Sequence, residues 1–366
     1  MTDLEKQRLR INEIDKNIAA LFEERMEVVK NIALFKKKFG LQIFDSAREQ
    51  EVCERELGYI QNAEIKPYFL EFVHNMMDVS KKYQSYIVQG CRVSYCGIEG
   101  AFANIAAKRI FPEGNLISYP TFPKAYNAVV EGECDFAVLP IENSFAGDVG
   151  QVFDLMHTGE LFISELYEFK ITQNLLGTKD SELSDIKKVV SHQQALDQSM
   201  EFLQSHKFEI ESAANTAIAA KMVADNGDKT VAAVGSEESA ALYGLKILER
   251  NINQNMQNTT RFAVFSRVFN PVYKPNDSIF LLMFTIKNKP GSLAEAIKCF
   301  GESGFNLRSL RSRPIKDVPW EYYFYVEGEG CLSSDAGKKL IEELQKVCVQ
   351  VKVLGHFAME KKNGRN

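Results

Sequence analysis

The chain has 366 residues and a formal net charge of −5, with 45% apolar and 25% charged residues. This balance is typical of globular domains and excludes wholesale disorder, and the length predicts two or three domains of about 150 residues each. The acidic total argues against a general nucleic-acid binder but leaves room for local basic pockets.

The sequence also indicates the cellular compartment in which the protein is expected. No apolar run approaches the roughly 20 residues of a membrane span, and the first residues lack the apolar core of a secretory signal. Seven cysteines are present, without a CxxC pair. We therefore expect a cytoplasmic protein with reduced thiols.

Residues 1–90 carry helical periodicity. Apolar side chains recur at steps of three and four residues, which predicts a long amphipathic helix. Its stripe consists of Ile11, Ile14, Ile18, Leu21, Val28, Ile32 and Phe35. A break at Phe39-Gly40-Leu41 ends this helix, Asp45-Ser46 opens a second and Pro67 a third. Three helices with one long member do not easily close a core alone, so we expect a helical dimer.

Residues 91–270 alternate between short β-rich runs and helical stretches. This pattern predicts an α/β domain of two lobes with mostly parallel strands, whose loops at the carboxyl ends of strands carry the site. A proline-containing linker, NPVYKPND, follows. The order βαββαβ over residues 277–358 predicts an α+β, ferredoxin-like domain, and residues 359–366 are expected to form a flexible tail.

Two cations fall on the apolar stripe of the first helix. Arg25 lies fourteen residues after Ile11, and Lys36 follows eleven residues later. At about 100° per residue both are close to the apolar face. Long cations can reach solvent from such a position, so an imperfect stripe is one explanation. An anionic ligand inside the helical bundle is the other.

The polar residues of this segment resemble, in order and nearly in spacing, the site of the all-helical chorismate mutases. The matching positions are Arg8, Arg25, Lys36, Asp45, Arg48, Glu49, Ser80 and Gln84. Glu49 also fits a helix-capping box with Ser46. The resemblance implies a pericyclic rearrangement that needs no cofactor, metal or nucleophile, only a held conformer and stabilised charge.

The chemistry of chorismate suggests a role for each residue type. Arginines suit its two carboxylates, Lys36 and Gln84 would face the breaking ether oxygen, and Glu49 would accept from the substrate hydroxyl. Arg8 lies about 25 Å from Arg25 along a straight helix, too far for one small ligand to touch both. We therefore expect Arg8 to complete the pocket of a partner chain.

Three loops of the middle segment carry polar clusters. The runs are PIENS (140–144), SHQQALDQ (191–198) and NTTRF (258–262), each of which could also be an ordinary cap or loop. Together with Gly235-Ser236-Glu237 these motifs resemble those of prephenate dehydratase. This resemblance implies a domain like that of periplasmic binding proteins. The implied site is Glu142, Asn143, Ser144, Ser191, Gln198, Thr260 and Arg261, with Thr260 linked to catalysis.

The dehydration of prephenate is driven by aromatisation, so no cofactor is expected. Thr260 would help hydroxide to leave by a hydrogen bond, with Arg261 nearby for charge. Two motifs depart from the family pattern. Its S-H-P-Q reads Ser191-His192-Gln193-Gln194, and Ala101 and Ala103 replace hydroxyl residues in an early glycine loop.

The last segment resembles an ACT regulatory domain. Gly291, Ser292 and Leu293 start a predicted helix that would bind the carboxylate of an amino-acid effector. Ser312 and Arg313 belong to a run that aligns with an E-S-R-P effector motif, but Arg311 stands in place of the glutamate. Strand alternation places Arg311 and Arg313 on one face, toward solvent or a partner domain. A domain used only for dimer contacts is the alternative.

The sequence as a whole predicts a bifunctional chorismate mutase and prephenate dehydratase of phenylalanine biosynthesis, with feedback inhibition by L-phenylalanine bound at a dimer interface. Its partners would be the two substrates, the effector and further copies of the chain. An enzyme that prefers arogenate, and a non-catalytic amino-acid sensor on the same scaffold, remain as alternatives.

Overall fold

The helical periodicity of the first ninety residues produces three helices in the computed structural model, which describes residues 2–43, 46–255, 257–269, 278–316 and 318–358. Their bounds are α1 Asp3–Phe39, α2 Ser46–Leu57 and α3 Lys66–Gln89. The predicted break after Phe39 is confirmed, since Gly40 caps α1 with a left-handed backbone (φ 64°). Pro67 lies in the first turn of α3, as predicted.

Most of α1 is not covered within one chain. Only Val29 and Ala33 of this helix are buried, whereas residues 2–24 are all exposed. The buried side chains of α3 include Val73 and Met77, which supply the facing apolar contacts. The seven stripe residues from Ile11 to Phe35 are between 43% and 64% exposed. The apolar face predicted from the sequence therefore exists, and no part of the chain that the structure describes covers it.

Residues 1–92 with 113–115 form one compact unit, and residues 93–112 with 116–366 form another. Among its described residues, the first part of the second unit contains eleven strands and seven α-helices. The strands are β1 Arg92–Cys96, β2 Asn115–Tyr119, β3 Phe136–Asn143, β4 Gly147–Asp148, β5 Phe162–Lys170, β6 Asn174–Gly177, β7 Lys188–Ser191, β8 Glu209–Ser212, β9 Val231–Gly235, β10 Lys246–Glu249 and β11 Thr259–Ser266. The helices are α4 Phe102–Ile110, α5 Phe122–Val130, α6 Gly150–Thr158, α7 Gln193–Gln198, α8 Met200–Ser205, α9 Thr216–Asn226 and α10 Glu237–Tyr243.

These strands form two sheets, one in each lobe. The first has the order β2-β1-β3-β11-β5, with β4 beside β3, and the second has the order β10-β6-β9-β7-β8. The chain passes from the first sheet to the second between β5 and β6 and returns between β10 and β11. Two lobes joined by two crossings place the ends of β3, β7 and β11 near the junction.

The prediction of mostly parallel strands is wrong. β11 returns from the second lobe and enters the first sheet between β3 and β5, antiparallel to both. β6 is likewise antiparallel to β9 and β10. Parallel pairing is found for β1 with β3 and for β7 with β8 and β9. Both sheets are mixed because β6 and β11, the strands that follow the two crossings, are antiparallel to their neighbours.

The C-terminal part follows the order β12 Ser278–Thr285, α11 Ser292–Glu302, β13 Asn306–Pro314, β14 Tyr322–Glu329, α12 Asp335–Val347 and β15 Gln350–Ala358. The element order is the one that the sequence predicts. Its sheet is antiparallel, in the order β13-β14-β12-β15. The expected linker at 270–277 and the expected tail at 359–366 lie outside the described residues.

Both faces of the central strand β12 are buried. Phe280, Leu282 and Phe284 alternate toward the core formed with α11 and α12. Leu281 and Met283 point the other way, into a core that they share with residues of the first lobe such as Phe153. A strand covered on both sides explains the continuous apolar run of β12. The C-terminal sheet therefore packs directly against the lobe that carries β3 and β11. Nowhere in the described ranges is a helix both long enough and apolar enough to cross a bilayer.

Candidate active sites

In the helical unit, Arg25 meets the third helix. Its Nη1 donates to Ser80 Oγ at 2.5 Å, and Ser80 Oγ donates to the backbone carbonyl of Met76 at 2.7 Å. Partial burial lowers the pKa of Arg25, opposed by the carboxylate of Glu56. Gln84 lies one helical turn after Ser80 and is buried, and its Oε1 has no partner among the described residues. The Arg25 guanidinium and the Gln84 amide N–H groups can donate to an anion, whereas the unpartnered Gln84 Oε1 can accept from a hydroxyl.

The other predicted residues of this site are placed differently. Lys36 Nζ donates to the carbonyl of Ile43 at 2.8 Å, and Glu49 is ion-paired with Lys81 at 2.9 Å. Arg48 forms an exposed ion pair with Glu51 at 2.7 Å. Because Arg48 pairs with Glu51, the structure does not bring it to the Arg25–Ser80 contact. Lys81, which pairs with Glu49 and is next to Ser80, was missed by sequence reasoning.

Arg8 does not take part in this contact. Arg8 is exposed on the uncovered part of α1. Asp45 lies outside the described residues. A complete site of the predicted composition would need Arg8 from elsewhere.

In the first lobe, Asn143 and Thr260 are directly opposite each other on β3 and β11. Asn143 Nδ2 donates to Thr260 Oγ1 at 2.9 Å. No acceptor for the Thr260 hydroxyl proton is found among the described residues. Asn143 Oδ1 accepts from the backbone N–H groups of Phe145 and Ala146 at 3.0 and 2.9 Å, which fixes the orientation of the amide. Thr260 is thus an oriented hydroxyl that can donate a hydrogen bond to a bound molecule.

A row of buried amides extends this pair toward the second lobe. Asn143 Nδ2 also donates to Asn258 Oδ1 at 2.8 Å, and Asn258 Nδ2 donates to Gln198 Oε1 at 2.9 Å. Gln194 Nε2 approaches Asn143 Oδ1 at 3.5 Å. Asn258 and Gln194 were not predicted as site residues. Their signal was present, because both lie inside the quoted motifs NTTRF and SHQQALDQ.

Two predicted serines have internal roles. Ser191 Oγ donates to the carbonyl of Val234 at 2.7 Å in a fully buried position, so it ties β7 to β9. Ser144 Oγ accepts from the backbone N–H of Thr259 at 3.0 Å. Neither hydroxyl reaches Thr260, and both act on the backbone of neighbouring strands.

Glu142 and Arg261 face away from the Asn143–Thr260 pair. They are opposite residues of β3 and β11, one position along from that pair, so alternation puts them on the other side of the sheet. Arg261 Nη1 donates to Glu327 Oε2 of β14 at 2.7 Å and lies 3.7 Å from Glu142 Oε2. Burial lowers the pKa of Arg261, but the carboxylates of Glu327 and Glu168 more than offset it, so the pKa is raised. Arg261 is therefore a fixed cation bound to the C-terminal sheet.

A pocket of about 420 Å³ opens between the lobes. Phe169, which lies directly opposite Thr260 on β5, forms part of its wall with Phe262 and Phe102. Ser236 and Glu237 line it from the second lobe. Phe262 and Thr260 are on the same side of β11 because they are two residues apart. A pocket of this size, lined by aromatic side chains together with charged ones such as Arg109 and Arg250, is typical of a small-molecule site.

In the C-terminal part, the proposed effector residues separate into two places. Gly291 has a left-handed backbone (φ 87°) and begins α11 without a side-chain cap, followed by Ser292 and Leu293. Arg313 lies on β13, where its Nε donates to the hydroxyl of Tyr323 at 3.1 Å, while Ser312 is exposed on the opposite face. Arg313 is thus already engaged with groups of the interface.

The prediction that Arg311 and Arg313 share one face is confirmed. Both approach carboxylates of the first lobe: Arg311 those of Glu142 and Asp148, Arg313 that of Asp154. Of the two alternatives, solvent or a partner domain, they face the lobe that packs on this sheet.

Family models match both units. Residues 7–85 match chorismate mutase type II, and residues 93–269 match prephenate dehydratase. The helical unit and the two-lobed unit therefore define an enzyme with a chorismate mutase and a prephenate dehydratase on one chain.

Known proteins place the chain more narrowly. It is 30% identical to the bifunctional chorismate mutase/prephenate dehydratase of Buchnera aphidicola (subsp. Acyrthosiphon pisum) over 96% of this chain and 95% of that protein. The chain belongs to the family of bifunctional chorismate mutase/prephenate dehydratases.

Solved structures resemble about three quarters of the chain. The prephenate dehydratase of Arthrobacter aurescens, solved in complex with L-Phe, has a TM-score of 0.68 at 26% identity, covering 73% of this chain and 89% of that one. A protein described as GqqA, a novel type of quorum-quenching acylase, also has a TM-score of 0.68, at 28% identity, covering 74% of this chain and 98% of that one.

Proposed function

We propose that the helical unit rearranges chorismate to prephenate at the Arg25–Ser80–Gln84 cluster. The observation that supports this site is the hydrogen bond from the partly buried Arg25 to Ser80, which lies one helical turn before the buried Gln84 on α3. Arg25 binds a substrate carboxylate, and the Gln84 amide donates to the ether oxygen as negative charge grows on it. No proton transfer is required, because the reaction only redistributes bonds within the substrate.

Prephenate then loses carbon dioxide and hydroxide beside Thr260, leaving phenylpyruvate. The observation that carries this assignment is the Asn143–Thr260 hydrogen bond, which orients the threonine hydroxyl and leaves its proton for the departing oxygen. The C–C bond to the carboxylate breaks, its electron pair completes the aromatic ring, and the C–O bond electrons leave with hydroxide. The aromatic wall of Phe169 and Phe262 excludes water around the ring.

The chain acts as a homodimer, at least for the mutase reaction. Support comes from the uncovered stripe of α1, since a contiguous exposed apolar face marks an interface. In an isologous pair, Arg8 of each copy would reach the Arg25 cluster of the other. This supplies the residue that a single chain cannot bring there.

The C-terminal part is an ACT-type regulatory domain that binds L-phenylalanine at a dimer interface and lowers dehydratase activity. Two observations support it: the βαββαβ order with an uncapped start of α11 at Gly291, and the L-Phe bound to the related dehydratase of A. aurescens. The N–H groups of the first turn would donate hydrogen bonds to the effector carboxylate. A regulatory effect requires different affinities in the active and inhibited states.

One coupled assay tests the whole proposal. Chorismate is supplied to the purified chain, and prephenate and phenylpyruvate are measured over time, with arogenate as a parallel substrate. We expect phenylpyruvate to form from chorismate. We also expect a faster reaction with prephenate than with arogenate, because the bifunctional relatives are named as prephenate dehydratases. Failure to convert either chorismate or prephenate would support the non-catalytic sensor instead.

A further inference from the structure

Arg311 on β13 bridges the two strands of the hairpin that carries Asn143. Its Nη2 donates to Glu142 Oε1 at 2.5 Å, and its Nη1 is ion-paired with Asp148 Oδ1. Glu142 and Asp148 are paired residues at the base of this hairpin, in β3 and β4. Asn143 is the next residue after Glu142, and its amide contacts Thr260. The Arg311 guanidinium therefore links β3 to β4 at the base of the turn whose backbone N–H groups orient the Asn143 side chain.

A second arginine ties the neighbouring strand to the same sheet. Arg261 follows Thr260 on β11, lies 3.7 Å from Glu142 and binds the buried Glu327 of β14. The sequence neighbours of Asn143 and of Thr260 are thus both linked by ion pairs to the C-terminal sheet. Asn143 and Thr260 therefore lie on one side of the β3–β11 pair, and the ion-paired Glu142 and Arg261 lie on the other.

The carboxylates of Glu142 and Asp148 need a cation between them, which Arg311 supplies. Glu142 and Asp148 are opposite each other on adjacent strands, where like charges destabilise pairing. Burial lowers the pKa of Arg311, yet Glu142 and Asp148 raise it by more, so the cation is retained. Without Arg311 the two carboxylates would repel each other at the base of the turn. That repulsion acts directly on the backbone that positions Asn143.

We propose that Arg311 is a positioning residue for the dehydratase reaction, which acts through Glu142 and Asp148 to hold Asn143 against Thr260 and makes that site depend on the position of β13. The inference rests on the proposed dehydratase function, which the wild-type assay tests separately. It also gives the arginine that replaces the glutamate of the family motif a role in this chain.

The test compares Arg311→Met and Arg311→Lys with Lys316→Met. Lys316 is a matched control, since its Nζ pairs with Asp154 of the same lobe at 2.9 Å but touches neither strand of the hairpin. For prephenate dehydration we expect kcat to fall about 10-fold in Arg311→Met with KM changed less than about 3-fold, because the site is displaced rather than lost. Arg311→Lys should be intermediate, Lys316→Met should match the wild type, and the mutase activity of all three should be unchanged.

A double variant separates positioning from general loss of stability. Arg311→Met combined with Asp148→Asn removes the repulsion, so its kcat should be higher than that of Arg311→Met alone. Equal effects of Arg311→Met and Lys316→Met, or a double variant slower than the single one, would overturn the proposal.

Discussion

Thr259 and Thr260 are adjacent threonines on β11 whose hydroxyl groups make different contacts. Thr260 accepts from Asn143, whereas Thr259 donates to the carbonyl of Gln257 at 3.1 Å. We predict that Thr260→Val lowers kcat for prephenate by about 100-fold, since the donor to the leaving hydroxide is lost. Thr259→Val is the control, with the same loss of a hydroxyl and an expected change below about 3-fold. Steady-state kinetics with a thermal melt of each variant checks this, and equal losses in both would contradict it.

Gln84 allows a pH test of the mutase site. A buried glutamate at this position would have a raised pKa and could donate a hydrogen bond only while protonated. The pH optimum of mutase activity in Gln84→Glu should therefore shift to acid, with activity lost as the carboxyl deprotonates, whereas the wild type keeps its activity above neutral pH. Gln89→Glu, at an exposed position of the same helix, is the control. A Gln84→Glu profile parallel to that of the wild type would remove Gln84 from the site.

At the scale of secondary-structure elements, α1 makes the dimer testable. Arg8→Ala and Arg25→Ala should each abolish mutase activity, since each removes a cation from every site. Random exchange of subunits between the two makes half of the dimers hybrid, with one intact site each, so mixing should restore about a quarter of the wild-type activity. Arg10→Ala, which loses an exposed ion pair with Glu13, is the control and should retain activity unmixed.

The hybrid experiment has a direct counter-outcome. Subunit exchange is followed by mass spectrometry of differently labelled chains. Hybrid dimers that form without any recovery of mutase activity would show that Arg8 does not act across an interface.

The elements differ in how far sequence could predict them. Helix ends at Gly40 and Pro67 follow from local backbone chemistry, and the order of the C-terminal elements follows from periodicity. The antiparallel insertion of β11 could not be predicted, because it depends on a return crossing between distant lobes. Short strands such as β6 and β8, of four residues each, have too few side chains to show a period.

Site residues show the same division. Motifs identified Asn143 and Thr260, which the structure joins by a hydrogen bond. Strand alternation alone would have separated Glu142 and Arg261 from that pair, but only the packing of the C-terminal sheet shows what they bind. Asn258 was passed over because asparagine before a strand is ordinary loop chemistry, and its contact with Gln198 spans sixty residues.

At the scale of the whole molecule, effector binding is expected to act from α11 on the dehydratase. Gly291→Val forces a β-branched residue into a left-handed conformation and should weaken L-phenylalanine binding by at least 10-fold, relieving inhibition. Gly301→Ala, within the same helix and with open space around it, is the control. Calorimetric titration with L-phenylalanine and L-tyrosine, beside dehydratase assays, measures both effects. No binding by the wild type at millimolar L-phenylalanine would leave this part as a structural dimeriser.

We expect this chain to carry two chemically independent sites, one in each of its two compact units. The most direct measurement assays Arg25→Ala and Thr260→Val separately for chorismate rearrangement and for dehydration of added prephenate. We predict that Arg25→Ala loses only the first activity and Thr260→Val only the second, and that mixing the two restores phenylpyruvate formation from chorismate through released prephenate. Loss of both activities in either folded variant would contradict the account.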